Sequence, residues 1–335
     1  MANIFDIARE AGVSRSTVSR VINNQPNVKY EKRIKVKEAI KRLNFTPNAA
    51  ARMLALKKTY TIGVVVKELG DVFYASFIHN IHYIADSYGY GAFYCNRNST
   101  IQSEVNYLER LNKQVDGYIF IGEKTVSKEE LEVLARSGEI VITIGFDLGV
   151  ENVTTITIDN YEATYGAVEK LIEQGHRNIV YINAEEETVE SSLRQSAYED
   201  VINKYELNYS RVERIDYLSD SAYNLGTELA DDLKKEKVTA IICFNDTLAT
   251  GLTDGLITKG VSVPEDISVV GFDDVAVRRI TSNNLPALTT ISQPQQRMAE
   301  FAVRHFIKRV DDDQHHYHEK FKCVYVERES TKKSL

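Results

Sequence analysis

Beyond Thr61 the chain alternates between short apolar runs and amphipathic stretches, and this alternation limits the fold more than any other feature. Helical segments such as 163–174 and 193–205 separate most of the apolar runs. Strands that are apolar throughout lie in parallel sheets whose two faces are both covered by helices. The sequence therefore predicts an α/β body on parallel sheets, with strands at 62–66, 91–95, 117–121, 141–144, 155–158, 179–182, 240–244 and 268–271.

The first sixty residues have a different charge from the rest of the chain. They contain thirteen Lys and Arg against four Asp and Glu, which gives a formal charge of +9, whereas the whole chain carries −7. A basic segment on an acidic chain indicates a polyanion as the partner of that segment. The acidic remainder would be repelled by the same polyanion.

The basic segment has the pattern of three short helices. The first helix has apolar residues at i, i+3, i+4 and i+7, with Asn3 as its cap and Gly12 at its end. A second helix follows Ser14, and a third is predicted over about 31–43. Two short helices joined by a three-residue turn are the helix-turn-helix arrangement, whose second helix enters the major groove. The predicted core positions are Ile4, Ile7, Ala8, Ala11, Val18, Val21, Ile22, Ile34, Ala39, Ile40 and Leu43.

The outward side of the second helix carries residues suited to duplex DNA. Arginine can donate two hydrogen bonds to guanine, and short hydroxyl and amide donors suit phosphate oxygens. A small helical bundle with a solvated basic face is the alternative, but the turn, the caps and the charge all favour DNA binding. The residues predicted to bind DNA here are Ser14, Arg15, Ser16, Thr17, Ser19, Arg20 and Asn23.

The residues after the basic segment predict a hinge over 47–59. Pro47 suits a helix start, and 48–55 could form about two turns, which are marginal alone in water. Three alanines would allow two copies to approach closely, and Leu54 is an apolar residue with no evident core to join. A plain linker helix is the alternative.

The ends of the predicted strands mark a candidate ligand site. In open parallel sheets, ligands bind beyond the carboxyl ends of the strands. Aromatic side chains there can stack on a sugar or a base, and carboxylates and amides can hold hydroxyl groups. The segments that follow these strands are 67–74, 96–97, 122–123, 145–147, 245–246 and 272–274.

The chain also resembles the LacI/GalR repressor family over nearly its whole length. The motifs that carry the resemblance in the basic segment are the runs 4–14, 17–23 and 42–54, and Arg15 and Ser16 stand where members differ and choose operators. In the body they are 175–179, 216–217, 221–223, 245–246, 269–274, 288–291 and 326–331, with Arg194 before Tyr198. The run Asp71-Val72-Phe73-Tyr74 departs from the Asn-Pro-Phe-Phe type of many members.

The resemblance implies a domain plan. It consists of a helix-turn-helix domain at 1–46, the hinge at 47–59, and a two-lobed body at 60–335 like periplasmic sugar-binding proteins. Lobe one would comprise about 60–160 and 290–322, and lobe two about 161–288 and 323–335. The chain would cross between the lobes near 158–162, 287–291 and 323.

The resemblance also implies residue roles. Paired hinge helices would sit in the minor groove with Leu54 wedged between base pairs, and Asn48 completes the predicted DNA-binding set. In the body, Arg194, Asn245 and Asp273 would clamp the ligand, and Tyr217 and Phe73 would form aromatic walls. The expected protein is a homodimeric repressor on a pseudo-palindromic operator. Its effector would be a sugar acting as inducer between the two lobes.

Other functions fit the sequence less well. A transporter-linked solute-binding protein would need a secretory signal and would not need a basic head. An enzyme would need a nucleophile elbow or a phosphate-binding glycine loop, and neither motif occurs. A global catabolite regulator gated by a phosphocarrier protein stays open, because the run 114–120 resembles that branch as well. We expect a cytoplasmic protein with no membrane span, no cofactor and no metal, and read the His315-His316-Tyr317-His318 run as a solvated loop.

The hinge generates a prediction for Leu54. Leu54→Ala is expected to weaken specific operator binding far more than nonspecific binding, because only the specific complex would contain the wedged side chain. The affinity of the full-length chain for an operator measures specific binding, and its affinity for random duplex measures nonspecific binding. Equal losses on the two duplexes would contradict the wedge.

Overall fold

The chain forms two units, Met1–Thr59 and Tyr60–Leu335. The structure is a computed structural model that describes residues 2–22, 27–45, 58–97, 108, 111, 113–276, 284–312 and 314–334. In this part of the chain there are ten helices and two six-stranded sheets.

The first unit contains helices α1 (Ile4–Glu10), α2 (Arg15–Ile22) and α3 (Tyr30–Arg42). The side chain of Asn3 accepts hydrogen bonds from the backbone at Phe5 and Asp6, and the Asp6 carboxylate accepts from the Asn3 N–H at 3.0 Å. This reciprocal capping box fixes the start of α1. Gly12 has φ +61°, a conformation that costs glycine little, so the chain turns there into α2.

The core of this unit confirms most of the predicted apolar positions and corrects one. Ile7, Val18 and Val36 have no exposed surface. Ile34 was predicted to be buried but is 37% exposed. The buried stripe of α3 is centred on Val36 and Ala39, and Ile34, two residues before Val36, lies about 200° around the helix from it.

The second unit contains two sheets. The first consists of β1 (Thr61–Val66), β2 (Gly91–Asn96), β3 (Tyr118–Ile121), β4 (Val141–Ile144), β5 (Thr154–Ile158) and β11 (His318–Phe321), in the order β11-β5-β4-β3-β1-β2. All its strand pairs are parallel. The helices associated with this sheet are α4 (Val72–Ser87), α5 (Lys128–Arg136) and α10 (Gln295–Val310).

The second sheet has the equivalent strand order. It consists of β6 (Ile179–Ala184), β7 (Arg211–Ile215), β8 (Ala240–Cys243), β9 (Ser268–Asp273), β10 (Thr289–Ser292) and β12 (Val324–Val326), in the order β12-β10-β9-β8-β6-β7. Its pairs are parallel except β10 with β12. The helices associated with it are α6 (Asn160–Glu173), α7 (Val189–Lys204), α8 (Ser219–Lys235) and α9 (Asp246–Thr258).

Central and edge strands differ in burial. Every residue of β3, β6 and β8 is buried, which is expected of parallel strands covered on both faces. The edge strands β7 and β11 expose polar side chains, whereas β12 exposes Val324. Strands β7 and β11 were not predicted, because a search for apolar runs misses strands that are rich in charged residues.

The chain passes between the sheets three times. It leaves the first sheet after Ile158, returns after Ser292, and leaves it again after Phe321. The second passage lies later than the 287–291 derived from the resemblance. Thr290 and Ile291 are still paired with Gly271 and Phe272 in the second sheet, so this stretch is a strand and not a crossing.

No helix in the described ranges has the length and the apolar character that a membrane span requires.

Helices α8 and α9 approach each other through glycines. A Cβ at Gly255 would lie 2.1 Å from the backbone oxygen of Tyr223, and one at Gly226 would lie 2.4 Å from that of Leu252. Neither backbone oxygen can move aside as a side chain could. In contrast, a Cβ at Gly166, inside α6, would meet nothing within 4 Å.

These glycines give a paired stability prediction. Gly255→Ala is expected to lower the free energy of unfolding by about 1–3 kcal/mol or more, because the helices must separate. Gly166→Ala is expected to raise it by about 0.5–1 kcal/mol, because alanine loses less backbone entropy in a helix. Chemical denaturation of both variants measures the difference. A Gly255→Ala protein as stable as wild type would show that the helices can separate at little cost.

Candidate ligand-binding cleft and nucleic-acid interface

Helix α2 presents most of the predicted DNA-binding side chains on its outer side. Ser14, Arg15, Ser16 and Arg20 are exposed, and Thr17 and Ser19 are half-buried. Val18 and Val21 face the core of the unit. Asn23, Asn48 and Leu54, the other three residues predicted to bind DNA, lie outside the described residues.

The start of α2 is locally ordered. The hydroxyl oxygen of Ser14 lies 2.9 Å from those of Ser16 and Thr17, and it accepts from the Thr17 N–H at 3.2 Å. The Arg15 guanidinium lies over the ring of Phe5, 4.6 Å from its centroid. The hydroxyls and the N-terminal N–H groups are suited to phosphate oxygens, and the planar guanidinium is suited to a base edge.

The body contains a cavity of about 250 Å³ between its two sheets. All five residues predicted to bind the ligand, Phe73, Arg194, Tyr217, Asn245 and Asp273, line this one cavity. The other lining residues are Lys67, Glu68, Asp71, Tyr74, Glu123, Thr188, Glu190, Leu218, Phe244 and Gln293.

Arg194 is held rigidly within this cleft. It is 3% exposed, its Nε donates to Asn160 Oδ1 at 2.8 Å, and its Nη1 donates to the Phe244 carbonyl oxygen at 2.5 Å. Its guanidinium carbon lies 3.5 Å from the ring centroid of Phe272 and 4.5 Å from that of Phe244. This packing fixes the plane of the guanidinium and leaves Nη2 without a hydrogen bond among the described residues.

Two carboxylates of the cleft are poorly compensated. Asp273 is 7% exposed and accepts one hydrogen bond, from Gln293 Nε2 to Oδ1 at 2.7 Å. Burial raises the pKa of Asp273 well above its usual value, and the nearby Arg194 opposes this shift. Burial also raises the pKa of Glu190, against which Arg194 and Lys67 act, while Glu123 adds a like charge.

Aromatic rings form two walls of the cleft. Tyr217 meets Phe244 edge to face at 5.6 Å, and the Lys67 ammonium lies 4.3 Å from the Tyr217 centroid. Phe73, near the start of α4, contacts Tyr74 and Phe77 at 5.3 Å each. Both predicted aromatic residues therefore border the cavity and are supported by neighbouring side chains.

Side chains from the two sheets meet across the cleft. The Lys67 ammonium, after β1, pairs with the Glu186 carboxylate, after β6. Glu123 Oε2, after β3, accepts the Val189 N–H at the start of α7 at 2.8 Å. A carboxylate at a helix N-terminus is favoured by the unpaired N–H groups there. These two contacts join the lobes directly beside the cavity.

Asn245 has a structural role as well as its place in the cleft. Its Oδ1 accepts the Leu248 N–H at 2.9 Å and so caps α9. Behind it, the buried Asp246 accepts from Thr290 Oγ1 at 2.6 Å and from the Val275 N–H at 2.8 Å. These hydrogen bonds connect the start of α9 with β10 and with the segment after β9. They thereby fix the positions of Asn245 and Asp273. Burial raises the pKa of Asp246 to about 7.

Asp246 gives a pH prediction with a defined sign. Its pKa rises from an ordinary 3.8 to about 7, so between these values the folded chain holds a proton that the unfolded chain has lost. The contribution of Asp246 to stability is therefore present at low pH and falls as the pH rises from about 4 to about 7.

The measurement compares wild type with Asp246→Asn by chemical denaturation across this pH range. The free energy of unfolding of wild type minus that of Asp246→Asn is expected to fall as the pH rises. All other titrating groups are the same in the two proteins and drop out of this difference. A difference that is constant with pH would contradict the assignment.

Several cavity residues were not predicted, and several predicted segments lie elsewhere. Thr188 and Glu190 follow β6, and the same strand-end rule would have found them. Among the expected segments, Arg97 instead pairs with Glu130 at 2.6 Å, and Phe146 is buried in the core of the first lobe. The other lining residues that were missed are Leu218, Phe244 and Gln293.

The histidine run near the C-terminus is only partly the solvated loop expected from the sequence, since residues 314–317 lie outside regular structure and His315 and His318 are exposed. The Tyr317 ring packs on Phe301 and His305, and His318 begins β11 with its Nδ1 2.8 Å from Thr155 Oγ1. Within the described ranges, no group of three or more His, Cys, Asp or Glu side chains is arranged to hold a metal ion.

Two family descriptions match the sequence. That of bacterial regulatory proteins of the lacI family covers residues 3–48, and that of a periplasmic binding protein-like domain covers residues 168–331. The first contains the described helices α1–α3, and the second contains Arg194, Tyr217, Asn245 and Asp273.

Similar full-length proteins and structures agree with these matches. Catabolite control protein A of Priestia megaterium is 35% identical over 314 residues, 92% of this chain and 93% of that protein. That of Staphylococcus xylosus is 32% identical over 92% of this chain and 93% of that protein. The regulator CelR in complex with cellobiose has a TM-score of 0.69, 27% identity and coverage of 98% and 100%.

A solved structure with lower sequence identity has the same fold. The Lac repressor dimer bound to operator and the anti-inducer ONPF has a TM-score of 0.82 at 23% identity, with 99% of both chains covered. The chain belongs to the LacI family of bacterial regulatory proteins.

Proposed function

We propose that this transcription regulator is a homodimeric repressor whose operator affinity is set by a sugar bound between the lobes of the body. The proposal rests on one observation above the others. Residues far apart in the sequence, from Phe73 to Asp273, converge on one cavity that offers aromatic surfaces and uncompensated polar groups. Such a combination is typical of a site for a small hydroxylated molecule.

The DNA-binding part of the proposal rests on α2. Its exposed Arg15 and Arg20 would read base edges, with Arg15 and Ser16 at the positions that choose the operator, and Ser14, Thr17 and Ser19 would contact phosphates. Two copies of the head would occupy the half-sites of a pseudo-palindrome, since operator symmetry mirrors the symmetry of a dimer. The Lac repressor, which has this fold, is a dimer on its operator. Operator DNA in bacteria lies in the cytoplasm, and we place the protein there.

The coupling between cleft and operator would run through the contacts across the cleft. Lys67–Glu186 and Glu123–Val189 join the two lobes directly beside the cavity. A ligand that binds better at one lobe separation than at another shifts the population towards that separation. The hinge at 47–59 would then pair, or fail to pair, on the DNA. This mechanism involves binding alone, and we assign no catalytic step to the cleft.

A global catabolite regulator is the second candidate. The relatives that favour it are the catabolite control proteins A, at 31–35% identity. It would depend on a phosphocarrier protein in addition to, or in place of, a cleft ligand. Operator affinity measured with the phosphorylated carrier present and no sugar separates the two candidates, because only the second predicts a change.

The leading candidate predicts the effect of removing the Arg194 side chain. Arg194→Ala is expected to weaken binding of a stabilising sugar by about 10–100-fold, because hydrogen bonds from a charged donor are lost. Operator binding without ligand should stay within about twofold of wild type. A thermal-shift screen of sugars, purines and nucleosides identifies the ligand, since a molecule that binds only the folded state raises its stability.

A control variant makes this result specific. Arg304 is exposed and pairs with Glu300 on the same helix, so Arg304→Ala should keep both the ligand shift and operator binding. An unchanged ligand shift in Arg194→Ala would remove Arg194 from the site. Loss of operator binding by the ligand-free variant would show that Arg194 acts on the fold and not on the ligand.

A further inference from the structure

We infer that the cleft selects against anionic effectors and takes a sugar that carries no phosphate or carboxylate group, with a gain in affinity when an amino group replaces a hydroxyl. The inference rests on the proposed function and specifies its ligand class. It is carried by the charges that line the cavity and by the contacts that these charges already make.

The lining of the cavity is predominantly acidic. It contains five carboxylates, Glu68, Asp71, Glu123, Glu190 and Asp273, against two cationic side chains, Lys67 and Arg194. Electrostatic interactions are strong in such a partly enclosed, low-dielectric space. Burial raises the pKa of Asp71, Glu190 and Asp273, so a phosphate group, with about −1.5 to −2 charges, would meet acidic side chains and little positive charge, whereas an ammonium would favour their ionised form.

Neither cation is arranged to compensate a phosphate. The Lys67 ammonium pairs with Glu186 across the cleft and lies over the Tyr217 ring. Arg194 donates from Nε to Asn160 and from Nη1 to the Phe244 carbonyl oxygen. Its positive charge also interacts with the acidic side chains of Asp273 and Glu190. An anionic ligand would therefore have to displace existing contacts, whereas a hydroxyl can use the remaining Nη2 donor.

The carboxylates, in contrast, need hydrogen-bond donors. Asp273 accepts a single bond, from Gln293, and Glu190 accepts none from the residues that the structure describes. Glu190 reaches across the cleft, where a Cβ on Gly145 would lie 3.1 Å from its Oε1. Hydroxyl and ammonium groups are donors, and an ammonium also supplies the positive charge that these two side chains lack. This is the physical basis for the expected preference for an amino group.

The size of the cavity fits a small sugar. Its volume of about 250 Å³ lies just below the ~300–1,000 Å³ of typical ligand pockets. The aromatic walls formed by Tyr217 and Phe244 offer a surface for the apolar face of a sugar ring. We therefore expect a ligand near monosaccharide size.

The test is a calorimetric titration of the full-length chain with matched sets of three sugars. Each set holds stereochemistry constant: glucose, glucosamine and glucose 6-phosphate, and the same three forms of galactose and of mannose. Within a set that binds, the amino form is expected to bind about tenfold tighter than the neutral form, and the phosphate form at least about tenfold weaker. A phosphate form that binds as tightly as its neutral parent would overturn the inference. So would the absence of binding by every neutral and amino form.

Variants locate the preference on named carboxylates. Asp273→Asn and Glu190→Gln are expected to reduce the tenfold advantage of the amino form to about twofold or less, because the carboxylate that pairs with the ammonium is removed. Asparagine also tolerates the φ of +110° at position 273. Glu187→Gln is the matched control, since Glu187 is an exposed carboxylate beside Thr188 that does not line the cavity. An undiminished amino advantage in both cleft variants would contradict the assignment.

Operator affinity, measured in the same titrations, separates this inference from the proposed function. If a phosphate form binds best and changes operator affinity, the regulator function stands and the inference on ligand charge is wrong. If a neutral or amino form binds best but leaves operator affinity unchanged, the charge preference holds and the proposed gating fails.

Discussion

The buried guanidinium of Arg194 is the interaction on which the cleft depends. A cation with so little exposed surface costs several kcal/mol unless its hydrogen bonds are met. Asn160, at the first passage between the sheets, and the Phe244 carbonyl, at the end of β8, provide them. Phe272 in β9 supplies an aromatic face. One side chain thus connects three elements of the second lobe at the edge where its strands end.

The parallel topology explains why a ligand site forms at this edge. Because all strands but β12 run in the same direction within their sheet, the segments after β1, β3, β6, β8 and β9 meet at the cleft. Three passages of the chain connect the lobes at this edge. The contacts of Lys67 with Glu186 and of Glu123 with Val189 join the two lobes beside this edge. A ligand between the lobes acts on the same balance of charges.

Sequence reasoning predicted the central strands except β10, the three helices of the head and the positions of five cleft residues. It succeeded where a strong apolar period or a family motif was present, as at β3, α1 and Arg194. It missed the edge strands β7 and β11, because most residues of Arg211–Ile215 and His318–Phe321 are charged or polar. It missed Glu190 and Gln293, because the segments after β6 and β10 were not among the strand ends that were considered. A local sequence pattern does not show which charged side chains become neighbours in the folded chain. The single hydrogen bond that Asp273 accepts follows from those neighbours and could not be predicted.

Sugar binding in the cleft and operator binding by the head would be thermodynamically coupled. Thermodynamic linkage requires this exchange to be reciprocal: if a sugar changes operator affinity by some factor, the operator must change sugar affinity by the same factor. The direct measurement is sugar affinity of the full-length chain, free and saturated with an operator that the chain itself has selected from random duplex. The account predicts a ratio of about 5–150 that matches the effect of the sugar on operator binding. Equal sugar affinities in the two states would contradict it.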